Sequence, residues 1–202
     1  MKSISTFLAV LLLISISSLV QGQSKKSQYK FPLPLVISGR LSVTEYAGEL
    51  EPAAGLQVGM MVSKNLLIGL DGSLFSPWAK YSGALDDQKV ALYAAYGGIL
   101  IEPVINPRNT LHLSFPVITG GGLIAYRWDS ENRGGTKDIE EGDFHLSVTP
   151  GIALNYRLNH FMRMQLVYSY RYARKISLRN TAEDAFDGHN LGLALRLGRF
   201  KD

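Results

Sequence analysis

The stretch FHLSVTPGIALNYRL, residues 144–158, alternates apolar and polar side chains along its whole length. Apolar residues or proline occupy the even positions, and small or polar residues occupy the odd ones. Successive side chains of a β-strand point to opposite faces, so this alternation predicts a strand with one apolar and one polar face. The pattern recurs in MRMQLVYSYRY, residues 162–172, and in LGLALRLG, residues 191–198. The C-terminal part of the chain is therefore predicted to be a run of amphipathic strands.

Five further segments bring the predicted number of strands to about eight. The apolar faces of four begin at Leu35, Ala54, Leu66 and Leu111, whereas residues 90–101 are apolar on both faces and their orientation is left open. Several segments reach the roughly 9–11 residues that a tilted strand needs to cross a bilayer. Strands of about five or six residues are the norm in soluble sandwiches. After Gly120–Gly122 the apolar positions change from odd to even, and a β-bulge is expected there.

The predicted connections alternate between short and long. Three are tight, at Ser63–Asn65, Asn106–Asn109 and Asn159–His160, and four are long and polar, at residues 44–52, 76–88, 129–143 and 175–188. Short turns at one end and long loops at the other are typical of outer-membrane barrels, in which the short turns are periplasmic. Both chain ends are then expected on the periplasmic side.

The first 22 residues predict a secretory signal peptide. Lys2 precedes the apolar stretch FLAVLLLISI, residues 7–16, and small or tolerated residues lead up to Gly22. The apolar run is too short to span about 30 Å of hydrocarbon comfortably, which argues against a membrane anchor. We expect cleavage between Gly22 and Gln23, a periplasmic tether at residues 23–34, and a barrel domain at residues 35–202.

The composition excludes several classes of function. The 202 residues include no cysteine, which rules out disulfides, thiolate metal sites and catalytic thiols. The formal charge is +4 and the basic residues are dispersed, so no nucleic-acid partner is expected. The acidic segment 129–143 lacks the ligand spacing of a calcium loop, and Gly120–Gly122 opens no helix that could bind phosphate. No metal and no cofactor are predicted.

Aromatic residues are placed as two girdles at the membrane interfaces would require. Tyr156 and Phe161 flank the last tight turn. Seven others lie near the long connections: Phe75, Trp78, Tyr126, Trp128, Phe144, Tyr170 and Tyr172.

With these features the sequence resembles the small outer-membrane β-barrel proteins of Gram-negative bacteria, the OmpA/OmpX-like barrel domains. The resemblance rests on the signal peptide, the hairpin plan, LHLSFPVITGGG at residues 111–122 and VYSYRY at residues 167–172. It implies an all-β fold, a closed up-and-down antiparallel transmembrane barrel in the cell outer membrane. The implied partners are outer-membrane lipid, lipopolysaccharide and, during biogenesis, the outer-membrane assembly machinery, with the chain a monomer. One feature departs from the family: Phe200 is out of phase with the apolar face of the last strand, where such barrels commonly end on an outward-facing aromatic residue.

The polar faces of the strands are predicted to line the inside of the barrel. Eight strands leave an interior just wide enough for side chains to fill. The expected lumen network comprises Arg40, Asp71, Arg157, Arg163, Arg171 and Arg196, with Glu102 as a second acidic candidate. A sealed lumen is favoured over a narrow ion path, because buried charges need partners and close packing blocks conduction.

No catalytic residue is predicted. His145 and Ser147 share a face at i, i+2, as do His112 and Ser114, but residues at this spacing lie about 7 Å apart and have no G-x-S-x-G context here. The sequence therefore predicts a non-enzymatic structural or adhesive protein with recognition in its external loops. The alternatives are a lipid-modifying enzyme similar to the lipid A deacylases and a narrow channel for small solutes.

Overall fold

A computed structural model of the chain describes residues 34–75, 81–82, 89–128, 139–174 and 184–200. The strands are β1 (Leu35–Tyr46), β2 (Glu49–Ser63), β3 (Leu66–Phe75), β4 (Tyr81–Ser82), β5 (Lys89–Ile105), β6 (Leu111–Ser114), β7 (Val117–Trp128), β8 (Ile139–Arg157), β9 (Met162–Ala173) and β10 (Gly188–Gly198). Strands β6 and β7 lie end to end between β5 and β8 and form one barrel strand, while β4 is a short extension paired with β5.

The eight barrel strands are antiparallel to their neighbours, and the ring closes where β1 pairs with β10. Closure gives each of the eight barrel strands a partner on both sides, which is what a strand-built membrane protein requires because lipid offers no hydrogen bonds. The predicted fold, a closed antiparallel barrel of about eight strands, is confirmed. No helix in the described residues is long and apolar enough to cross a membrane.

The barrel wall is apolar outside and mixed inside. Outward side chains are large and apolar, with Leu41 69%, Leu70 64% and Leu74 65% exposed. Inward positions of the same strands carry buried polar side chains, such as Ser38 and Asp71. In β5, whose orientation the sequence left open, odd-numbered residues such as Ile99 face outward and even-numbered ones face inward.

We name the two ends of the barrel by what they carry. The terminal end carries Leu35, Gly198 and the three tight turns, which the structure places between β2 and β3, β5 and β6, and β8 and β9 as predicted. The opposite end, the loop end, carries the β1–β2 turn and the connections β3–β5, β7–β8 and β9–β10.

The predicted long loop at residues 44–52 is wrong. Strand β1 continues to Tyr46 and β2 begins at Glu49, so only Ala47 and Gly48 form the turn. Their φ angles are 49° and 81°, the left-handed region that a two-residue type I′ hairpin turn requires at both positions. The charged residues that suggested a loop instead extend the hairpin, with Thr44 opposite Glu51. Strands also extend into the other predicted loops, since β8 begins at Ile139 and β10 at Gly188.

The predicted bulge at Gly120–Gly122 is also wrong. Pairing with β5 keeps one register across the region, from Val104 opposite Ser114 to Gly98 opposite Gly120. Inward and outward positions do not exchange there: Ile124 faces inward and is 1% exposed, because it belongs to an apolar layer inside the barrel. The ladder is interrupted instead at Phe115–Pro116, where the proline has no amide hydrogen to donate. A register shift occurs further on, between Tyr126 and Arg127 of β7.

The aromatic prediction holds only in part. Phe144, Tyr156, Phe161 and Tyr172 face outward and are 45–60% exposed. Phe75 points into the barrel and is 4% exposed, so it belongs to no girdle. The side chains of Trp78, Tyr126 and Trp128 lie outside the described part, as do the predicted signal peptide, the Gly22–Gln23 cleavage site and the tether up to residue 33.

Candidate functional site: the barrel lumen

Three groups of side chains occupy the lumen. A terminal-end cluster comprises Val36, Met61, Leu67, Leu100, Ile118 and Phe200. A loop-end cluster comprises Tyr46, Ala53, Phe75, Ala94, Tyr96, Ile124, Ala185 and Phe186. The third group is a polar belt, which we define as Arg40, Gln57, Asp71, Ser73, Glu102, Ser114, Asn155, Gln165 and Arg196. Polar and apolar side chains therefore share the interior.

Glu102 is the centre of the polar belt. Its carboxylate is fully buried and accepts two hydrogen bonds from Arg196, Nη1 to Oε1 at 2.8 Å and Nη2 to Oε2 at 2.7 Å. Ser114 Oγ and Gln165 Nε2 donate to Oε1 at 2.6 and 3.1 Å. A carboxylate removed from water is tolerable only with such compensation, and the two-point guanidinium contact is the strongest form of it.

A second ion pair lies in the same belt. Arg40 Nη2 donates to Asp71 Oδ1 at 3.0 Å and to Ser73 Oγ at 2.6 Å. Gln57 joins the two pairs, because its Nε2 donates to Asp71 Oδ2 at 2.7 Å while its Oε1 accepts from Arg196 at 3.0 Å. Asn155 extends the belt by donating to Ser114 at 2.8 Å.

The belt crosses the whole barrel. Each of the eight barrel strands contributes at least one member, with β6 supplying Ser114 for the composite strand. Every member has at least one partner in the belt, although Arg196 Nε is buried without one. The belt therefore links all eight barrel strands across the lumen, and hydrogen bonds in such a network strengthen one another.

The terminal end is closed by the residue that departed from the family pattern. Phe200 lies beyond β10, is 8% exposed and packs inside the terminal-end cluster. The guanidinium carbon of Arg163 lies 3.8 Å from the centre of its ring, and Arg163 Nη1 is 3.3 Å from His112 Nε2. The side chain is out of phase with the outward leucines because it faces into the barrel.

The loop end is closed by a residue from a connection. Asp184–Asp187 precedes β10 and places Phe186 inside the barrel, where it is 0% exposed. Its ring centroid lies 5.7 Å from that of Phe75, 5.9 Å from Tyr96 and 6.1 Å from Tyr46. Aromatic pairs at these separations stabilise beyond the area they bury.

Arg171 anchors this closure. The side chain is 0% exposed and donates from Nε to the Phe186 carbonyl at 2.6 Å, from Nη2 to the Glu45 carbonyl at 2.9 Å and from Nη1 to Thr44 Oγ1 at 3.1 Å. Its guanidinium carbon lies 4.2 Å from the Phe186 ring centre and 4.7 Å from that of Tyr96. The cation is held by neutral oxygens and aromatic faces.

Both His–Ser pairs point into the lumen. His145 and Ser147 are 1% and 7% exposed, and His112 and Ser114 are 4% and 0% exposed. Ser114 donates its hydroxyl hydrogen to Glu102, and no described serine is bonded to a histidine. Neither pair reaches the lipid-facing surface where an acyl substrate would lie.

A small cavity lies within the described part of the lumen. A cavity of about 10 Å³, lined by residues that include Arg40, Tyr96 and Asn190, lies inside the barrel. This is room for about one water molecule. In the part of the chain that the structure describes, no three His, Asp or Glu side chains converge as metal ligands would.

The six predicted lumen residues fall into separate places. Arg40, Asp71 and Arg196 meet in the polar belt, Arg163 lies at the terminal end and Arg171 at the loop end. Arg157 is only partly buried and donates to the Arg108 carbonyl at the terminal rim.

The sequence missed Phe186 as a lumen residue, since a single aromatic residue in a connection has no periodicity to signal it.

An eight-stranded closed wall with an apolar exterior and buried polar side chains inside is the architecture of the small outer-membrane barrels. Neisserial surface protein A is similar, with a TM-score of 0.54, 12% identity and coverage of 81% of this chain and 95% of that one. For the outer-membrane protein OprG of Pseudomonas aeruginosa the TM-score is 0.48, with 11% identity and coverage of 81% of this chain and 95% of that one. For the attachment invasion locus protein Ail of Yersinia pestis the TM-score is 0.45, with 14% identity and coverage of 81% of this chain and 96% of that one. No protein-family model matches the chain, and no curated protein matches its sequence. The predicted resemblance is confirmed for the fold.

Proposed function

We propose that the chain is an integral outer-membrane protein with a non-enzymatic structural or adhesive role, and that its loop-end connections carry recognition outside the cell. The observation that carries the proposal is the reversed polarity of the wall. Leu41 is 69% exposed on the outside, whereas Arg196 is 4% exposed inside. A continuous apolar exterior is unfavourable in water and favourable in hydrocarbon.

The lumen supports a structural role over the two alternatives. A channel needs a continuous path, whereas the polar belt and two apolar clusters place side chains across the interior of a barrel whose eight strands leave little free space. An enzyme acting on lipid A needs its nucleophile on the lipid-facing surface, and Ser147 is buried inside. We expect the protein to show no conductance in planar lipid bilayers. We also expect the His145→Ala and Ser147→Ala variants to leave the lipid A profile unchanged.

Membrane insertion is tested by fractionation and gel mobility. The chain should be found in the outer-membrane fraction, and the unboiled protein should migrate faster on a detergent gel than the boiled protein, because a closed barrel stays compact in detergent. A mature chain that is monomeric and freely soluble without detergent would contradict the proposal.

Topology is tested by labelling, which the absence of cysteine makes simple. Glu49→Cys lies at the loop end and Lys64→Cys in a tight turn at the terminal end, and both positions are exposed. A membrane-impermeant maleimide added to intact cells should label Glu49→Cys alone, and both variants after lysis. Labelling of Lys64→Cys alone on intact cells would reverse the assignment of the ends.

Recognition is tested by replacing residues 129–138 with a glycine–serine linker of equal length. Intact cells displaying this variant should attach less to an epithelial monolayer than cells displaying the unaltered chain, while gel mobility stays the same. Lys64→Ala, at the opposite end, is the control. Equal attachment by the unaltered chain and both variants would exclude recognition by residues 129–138, but it would not contradict the membrane assignment.

A further inference from the structure

The loop-end cluster divides into a chamber and an occupant. The walls of the chamber come from barrel strands: Tyr46 of β1, Phe75 of β3, Tyr96 of β5, and His145 of β8. The occupant, Phe186, comes from the connection before β10. The shape of the chamber is thus set by the barrel, whereas the group inside it comes from the Asp184–Asp187 segment, which lies outside the strands.

Two polar groups face this occupant. The Phe186 ring contacts His145, at 3.9 Å between ring centroids, and the Arg171 guanidinium carbon, at 4.2 Å from the Phe186 ring centre. Both ring nitrogens of His145 are buried without a hydrogen-bond partner in the structure. A buried polar side chain left unpaired is costly, and the Phe186 ring offers His145 no hydrogen-bond acceptor.

Arg171, the second polar group, has no direct ion pair in the described residues. Its acceptors are two backbone carbonyls and the hydroxyls of Thr44 and Tyr96, and none carries a charge. The carboxylates of Asp187 and Glu45 act on it only from a distance, in contrast with Arg40 and Arg196, which bind Asp71 and Glu102 directly. A fully buried cation gains most from an anion, because charge-assisted hydrogen bonds are about twice as strong as neutral ones.

We infer that the loop-end chamber is a binding site for a small aromatic carboxylate, and that Phe186 occupies it as an internal substitute. Phe186 offers a phenyl ring, a two-carbon spacer and a carbonyl oxygen bonded to Arg171 Nε. The 3-phenylpropanoate ion has the same ring, spacer and carbonyl carbon, and adds a carboxylate that can bond directly to Arg171. Its ring would take the place of the Phe186 ring, and its carboxylate would replace the Phe186 carbonyl.

Displacement requires the Asp184–Asp187 segment to leave the barrel mouth. Its other described anchors are Ala47 N to the Ala185 carbonyl at 2.8 Å and Ala173 N to Asp187 Oδ1 at 2.6 Å. Apparent affinity is lowered by the fraction of time that the segment is closed. Removing the competing ring must therefore strengthen binding of the ligand.

The experiment measures binding of 3-phenylpropanoate by calorimetry to the barrel in lipid nanodiscs, with empty nanodiscs subtracted. The wild type should bind saturably, and Phe186→Ala should bind at least about tenfold more tightly. Phe186→Ala should also prefer the acid to 3-phenylpropan-1-ol by at least about tenfold, because the alcohol has the ring without the charge. Adding Arg171→Gln should abolish that preference.

The matched control is Phe200→Ala, which removes the same side chain from beneath another arginine, Arg163, at the terminal end. It should gain no preference for the acid. The inference is overturned if the wild type shows no binding up to the solubility limit, if Phe186→Ala binds acid and alcohol alike, or if Phe200→Ala matches Phe186→Ala. If the Arg171 variant does not fold, the comparison of acid with alcohol in Phe186→Ala decides alone.

Discussion

Leu70 and Leu100 lie on neighbouring strands, and they meet opposite surroundings. Leu70 of β3 pairs with Ile99, the residue beside Leu100 on β5, and is 64% exposed on the outside of the wall. Leu100 is 0% exposed and packs in the terminal-end cluster. The outer face requires only an apolar side chain, because lipid adapts to its shape. The inner face requires a particular side chain, because its partners are fixed by the strands.

The largest loss of stability is expected at the charged residues of the inner face. Glu102→Ala leaves Arg196 buried without its carboxylate and removes an acceptor from Ser114 and Gln165. We expect a loss of about 3–5 kcal/mol in the free energy of unfolding, measured by guanidinium titration in lipid vesicles. Glu49→Ala, an exposed acidic residue at the loop-end turn, is the control and should change stability by less than about 0.5 kcal/mol. Equal effects at both positions would show that the belt is not a stabilising network.

The two leucines test the comparison directly. Leu100→Ala should cost about 3 kcal/mol, because it leaves a cavity among fixed neighbours. Leu70→Ala should cost less, about 2 kcal/mol, since it loses only the transfer of the removed carbons into hydrocarbon while acyl chains fill the space and leave no rigid cavity. Both changes in the free energy of unfolding are measured by guanidinium titration in lipid vesicles. Equal losses would indicate that the outside of the wall is also packed against a fixed partner.

A charged side chain on the outer face should destabilise the protein more than a smaller apolar side chain does. Leu70 lies near the middle of β3, so Leu70→Arg places a cation in the hydrocarbon region. The expected cost is about 2–4 kcal/mol for the folded protein in vesicles. The control is Lys64→Arg, which keeps a cation in the exposed turn. A neutral Leu70→Arg would mean that water covers this face.

The outer face was the part that the sequence predicted best. Alternation in β8, β9 and β10 assigned every outward leucine correctly, because one face of these strands is uniformly apolar and the other is not. The same reasoning failed in β5, where Ala94, Tyr96 and Leu100 face inward and are themselves apolar. An inward apolar layer hides the alternation that a polar lumen would reveal.

The sequence predicted which residues face the lumen but not how their side chains pair. Arg40, Asp71 and Arg196 were assigned to the interior by phase alone, but pairing depends on which strands are neighbours and in what register. Glu102 reaches Arg196 across 94 residues of sequence. The two closing phenylalanines, Phe186 and Phe200, lie outside regular strands, so no period could place them.

The smallest predicted effect concerns the turn that sets which side chains face inward. A one-residue slip of the β1–β2 hairpin would exchange the two faces of both strands, so the turn must fix the register. Ala47 has a φ of 49°, a conformation that costs an alanine more than an asparagine, and Asn–Gly is the preferred pair for this turn type. Ala47→Asn should therefore raise the free energy of unfolding by about 0.5 kcal/mol and leave the outward and inward assignments of β1 unchanged.

The matched variant is Gly48→Ala, at the position with a φ of 81°, which should lower stability because an added side chain is strained there. Vesicle unfolding titrations of both variants measure the two changes with opposite signs. Stabilisation by Gly48→Ala, or loss of stability with Ala47→Asn, would show that the hairpin does not use a type I′ turn. The register of Thr44 opposite Glu51, and with it the inward position of Arg40, would then rest on the polar belt alone.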